Sequence, residues 1–183
     1  MNTSLLSPPR ARPGDHLRWG GLIPGADALA LASVAREHPG TVVILTAGSA
    51  TAERIESDLR FFLAGTGAAA RPVRLLPDWE TLPYDRFSPH QDLVSDRLLA
   101  LSRLAQGDPV VLIVPVATLM QRTAPVAYVS ASSLALDPGQ RMGIVALRNT
   151  LARAGYRAVD NVYEHGEFAV RGSIVDLFPM GHD

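Results

Sequence analysis

At 183 residues, 47% of them hydrophobic, the chain is long enough for one α/β domain and the beginning of a second. A formal net charge of −1 excludes a generally basic, nucleic-acid-coating surface, and the absence of cysteine excludes disulfides, thiolate-bound zinc and thiol catalysis. All 17 basic residues are arginine, so no mechanism that requires a lysine operates within this chain.

Residues 1–19 read as a flexible lead-in, rich at the start in Ser, Pro and Arg and lacking an apolar core of signal-peptide length. No apolar run approaches a membrane span, and the expected location is the cytoplasm. Residues 25–38 are apolar on a helical period (Leu29, Leu31, Val34) and stop before Pro39-Gly40. Thr41-Val-Val-Ile-Leu-Thr46 is a buried-type strand. A helix follows, with Ser49 or Thr51 as cap, Ile55, Leu59, Phe62 and Leu63 on one side, and an end at the glycines of 65–67. Residues 72–76 form a second strand, and the proline-rich segment 77–89 forms a structured loop. Ser88-Pro89 predicts a helix start, with Ser as N-cap and Pro at the first helical position, for a helix reaching about Gln106. Val110-Val-Leu-Ile-Val114 is a third buried strand, and strand–helix alternation predicts a parallel sheet.

Beyond about residue 123 the pattern changes. A short strand at 133–136, a turn at Asp137-Pro-Gly139, a helix over 142–154 and strands at 156–159 and 162–178 predict a helix on a mainly antiparallel sheet. The domains are therefore placed at 20–125 and 126–183. The second ends directly after an apolar strand and is expected to be incomplete.

Four constellations carry possible chemistry. Gly20-Gly-Leu-Ile-Pro-Gly25 opens a helix where a phosphate-binding loop would sit, but Ala26-Asp27-Ala28 follows instead of Lys-Ser/Thr. Asp27 would repel phosphate, and nothing there holds magnesium. Asp78, Glu80 and Asp85, beside Trp79 and Tyr84, offer paired carboxylates without a fixed separation, and a loop packed on the sheet is the better reading. Glu164-His-Gly-Glu167 brings two carboxylates and an imidazole together, fewer ligands than a metal site normally uses. Finally, Arg157 to Arg171 combines arginines with Tyr163 and Phe168, the composition of interface hot spots. From composition alone, the balance favours ordinary solvated charges on a hairpin.

Three segments resemble one family, the bacterial transcription-repair coupling factors (Mfd). They are Leu76-Pro-Asp-Trp-Glu-Thr-Leu-Pro-Tyr-Asp-Arg-Phe-Ser-Pro-His-Gln-Asp92, Val114-Pro-Val-Ala-Thr-Leu-Met-Gln-Arg122, and the run from Glu164-His-Gly-Glu through Arg171-Gly to Pro179-Met-Gly181. The resemblance covers about residues 20–183. It implies a helicase-like α/β domain with a degenerate phosphate loop, similar to that of the repair protein UvrB, followed by a second α+β domain whose surface binds UvrA. It places a UvrA-contacting arginine on Arg171, and puts the family's further contacting arginine and aromatic beyond residue 183; Phe168 and Arg157 join Arg171 as candidate contacts on the composition of the 157–171 stretch. The connection from Tyr84 to Asp92 is too short for a damage-probing hairpin. RNA polymerase and double-stranded DNA are implied partners of a full-length parent, as are ATP and magnesium for its downstream translocase motor. For this chain, no cofactor, metal or catalytic residue is expected. The resulting reading is a UvrA-docking module. The alternatives are a structural module that masks the UvrA surface, and an ATPase domain, which the lack of lysine opposes.

Overall fold

The computed structural model describes residues 11–64, 71–82, 84–131, 134 and 136–181. Two compact units emerge. One comprises residues up to Leu76 together with Asp108–Gln121, and the other comprises Pro77–Gly107 together with residues from Arg122 onward.

The first unit is built on a parallel sheet. Strands β1 (Val42–Thr46), β2 (Val73–Leu75) and β3 (Val111–Pro115) lie in the order β1-β3-β2, with Val111 in register with both Val42 and Val73. β3 is the central strand and is buried along its whole length, which accounts for its unbroken apolar run. Helices α1 (Ala26–Glu37) and α2 (Ser49–Leu63) belong to this unit. Along α2, Ala52, Ile55, Leu59 and Leu63 recur at helical spacing and are buried against Ala32 and Ala35 of α1 and Ile44, Val73 and Ile113 of the sheet. The small alanines of α1 permit close helix packing. The expected caps Ser49 and Thr51 both lie inside α2, whose N-cap is Gly48 without a side-chain bond. A short helix α4 (Val116–Leu119) follows β3 directly.

The second unit contains α3 (Gln91–Gln106), α5 (Val126–Ala131), α6 (Ile144–Arg153) and a sheet of β4 (Arg157–Ala158), β5 (Glu167–Arg171) and β6 (Ile174–Phe178). β5 and β6 form an antiparallel hairpin, while β4 pairs with β5 in parallel, so the sheet is mixed rather than mainly antiparallel. The hairpin closes at Gly172, whose φ of 61° is a left-handed conformation that glycine adopts without strain.

Two further expectations change. Segment 77–107, read from sequence as part of the first domain, groups with residues from Arg122 onward, and Ser95 Oγ on α3 accepts a 2.9 Å hydrogen bond from Gly181 N. Helix α3 starts two residues later than expected, because His90 is its N-cap, with Nδ1 accepting from Asp92 N. Trp79 stacks with the Arg97 guanidinium of α3, 4.1 Å from its ring centroid. The strand expected at 133–136 and the glycines at 65–67 lie wholly or largely outside the described residues, as does most of the lead-in at 1–19.

Candidate partner-docking site

The β5–β6 hairpin presents Arg171 at its turn, paired in register with Ile174. One nitrogen anchors the guanidinium. Nη2 donates to Asp160 O at 3.3 Å and to Asn161 Oδ1 at 3.2 Å, and lies 3.3 Å from Asp176 Oδ2. Nη1 and Nε contact no hydrogen-bonding group among the described residues, so three N–H donors point outward from a braced side chain. Beside it lies an open depression of about 540 Å³, lined by Asn161, Tyr163, Arg171, Val175, Asp176 and Phe178 among others.

The other two residues singled out from sequence sit differently. Phe168 is 1% exposed and belongs to the core of this unit, so it supports the strand and offers no contact surface. The exposed aromatic is Tyr163, at 77%. The sequence named both, and periodicity could not separate them, because Glu167, Phe168 and Ala169 are all buried in succession. Arg157 is ion-paired through one nitrogen. Its Nη2 donates to Glu167 Oε1 at 2.7 Å and Glu164 Oε2 at 3.2 Å, and the Glu167 bond foremost raises its pKa.

Glu167 explains how Tyr163 is held. Its Oε2 accepts from Tyr163 N at 2.8 Å and from Glu164 N at 3.0 Å, while Oε1 takes the Arg157 donor. The backbone donors, Tyr163 first, hold its carboxyl below the usual range against the opposing effect of burial. The loop before β5 is thereby fastened to the strand. His165, the imidazole of the same motif, has Nδ1 2.8 Å from Pro179 O and its ring 4.2 Å from that of Phe178. Among the described residues, no three His, Asp or Glu side chains are arranged to hold a metal ion.

The glycine-rich loop also has a defined state. Asp27 Oδ1 accepts from Gly25 N at 2.9 Å and Ala28 N at 2.8 Å, and Oδ2 lies 2.6 Å from Arg54 Nη2. A carboxylate of the chain itself thus satisfies amides at the N-terminus of α1 that an anion would otherwise meet. Among the described residues, no helix is long and apolar enough to cross a membrane.

Residues 134–183, which include the whole hairpin, match the UvrB interaction domain family. Across 182 residues, 99% of the chain, the sequence is 42% identical to the transcription-repair-coupling factor of Haemophilus influenzae. It is 44% identical over 170 residues to that of Escherichia coli, and 35% identical over 164 residues to that of Mycobacterium tuberculosis. The chain spans 15%, 14% and 13% of the length of these relatives, respectively.

Proposed function

The chain belongs to the transcription-repair-coupling factor family, and from that premise we propose that it is a docking module that recruits the excision-repair protein UvrA. The observation that carries the proposal is the braced, outward-facing guanidinium of Arg171 on the hairpin inside the matched UvrB interaction domain. An arginine held in place loses little conformational freedom on binding, and its planar fork suits a carboxylate or a pair of carbonyls. Truncating one partner of a desolvated interfacial charge pair costs on the order of 2–5 kcal/mol.

The first unit, in this reading, is a helicase-like α/β scaffold that has lost nucleotide chemistry. Two features support this: the chain has no lysine to neutralise a β- or γ-phosphate, and Asp27 occupies the amides of α1. The chain is accordingly a binding module without catalysis or cofactor. ATP-driven translocation on double-stranded DNA, with displacement of RNA polymerase, would belong to the full-length family member. The work would be done in the cytoplasm.

Calorimetric titration tests the proposal. UvrA titrated into the chain should give a saturable heat, and ATP with magnesium should give none. A chain that takes up ATP overturns the non-catalytic assignment, and one that is silent toward UvrA overturns docking.

A further inference from the structure

Arg171 does not stand on a basic face. Residues 157–178 carry Arg157 and Arg171 against Asp160, Glu164, Glu167 and Asp176, a balance of two positive and four negative charges with histidine neutral. Such a surface repels a polyanion, so a nucleic acid backbone is a poor occupant. Arg157 Nη2 is committed to two carboxylates, and Arg171 Nη2 to its braces. Of the two arginines only Arg171 lines the depression, and it has Nη1 and Nε left over in otherwise acidic surroundings.

Next to those donors is apolar surface. Tyr163 is 77% exposed, and with Val175 and Phe178 it lines the same depression as Arg171. An exposed ring on a slack loop would cost entropy to immobilise. This one is attached to a backbone that Glu167 already fixes through the N–H groups of Tyr163 and Glu164. A rigidly based tyrosine beside a braced arginine is the pairing that dominates interface energetics.

We infer that Tyr163 is a second contact residue of the docking surface, and that the depression between it and Arg171 receives a single carboxylate-bearing segment of the protein partner with an apolar group alongside. The carboxylate accepts from Arg171 Nη1, and the apolar group covers the Tyr163 ring. Around that one carboxylate the partner surface is neutral or basic, to match the acidic rim. This inference rests on the docking reading and adds to it the chemistry of the partner.

The test measures UvrA affinity for the wild-type chain, Tyr163→Ala, Tyr163→Phe, Arg171→Ala and the Tyr163→Ala/Arg171→Ala double variant. A side chain this exposed can be truncated with little effect on folding. The expected result is a loss of about fivefold or more for Tyr163→Ala and under about twofold for Tyr163→Phe, because the ring and not the hydroxyl makes the contact. The double variant should lose less than the product of the single losses, since both side chains grip one segment. Wild-type affinity in Tyr163→Ala, with Arg171→Ala weakened, overturns the inference and leaves docking intact. Absence of UvrA binding by the wild-type chain overturns both. Binding of a duplex oligonucleotide that depends on Tyr163 also overturns the inference, by assigning the face to nucleic acid.

Discussion

Arg54 Nη2 lies 2.6 Å from Asp27 Oδ2, joining the middle of α2 to the first turn of α1. The same carboxylate accepts from the Gly25 and Ala28 amides, so one side chain both caps a helix and links it to its neighbour.

Replacing Asp27 by alanine should therefore destabilise the first unit by about 1 kcal/mol, a modest value because both partners are about one-third exposed and screened. Chemical denaturation of wild type and variant checks this. The Arg54 bond foremost holds the Asp27 carboxyl below its ordinary 3.8. Its contribution is thus fully present above 3.8 and is lost as pH falls through the lowered folded-state value. An Asp27→Ala difference unchanged from pH 7 to well below 3.8 would contradict the assignment.

Arg97 is 2% exposed, stacks on Trp79, and donates to Pro77 O through Nη1. Desolvation lowers its pKa, with the Asp78 charge opposing, but an arginine remains ionised. Arg97→Ala should cost about 3 kcal/mol, and Arg97→Lys should recover little of it, since an ammonium lacks the planar face. Thermal unfolding measures both, and full rescue by lysine would count against the stacked geometry.

Phe168 acts through the fold. Phe168→Ala should cost about 3–5 kcal/mol of stability, as expected for emptying a buried aromatic site. A conservative Phe168→Leu, once folded, should bind UvrA with wild-type affinity. Weakened binding in a Phe168→Leu chain of unchanged stability would return this residue to the interface.

Glu167→Gln should loosen the loop before β5. The two backbone N–H donors lose a charged acceptor, and Arg157 loses its nearest carboxylate. Hydrogen exchange at the Tyr163 and Glu164 amides should speed up while the β5–β6 ladder stays protected. Because the Glu167 carboxyl titrates below its ordinary 4.5, the clamp is fully present above that value and is lost as pH falls through the lowered one. Unchanged exchange at both amides would argue that something else holds the loop.

The parallel sheet was legible because the runs at 41–46 and 110–114 are short, apolar and rich in β-branched residues, and the strands fall within one residue of them. The start of α3 was misread because Ser88-Pro89 has the composition of a cap, while the nitrogen that accepts belongs to His90. The allegiance of α3 was not legible at all. It depends on Ser95 and Arg97, polar residues buried by partners far along the chain or in the preceding loop. That Arg171 sits at a hairpin turn was legible from the glycine that follows it. The inward Phe168 agrees with alternation from a charged Glu167, but the burial of Glu167 itself was not legible, because its partners are the Tyr163 and Glu164 amides and Arg157.

The most direct measurement of the central claim is the equilibrium affinity of the chain for UvrA, wild type beside Arg171→Ala, at one fixed salt concentration. Docking through the braced guanidinium predicts saturable binding that weakens by about tenfold or more, equivalent to roughly 1.4 kcal/mol. Equal affinities for the two chains would contradict it.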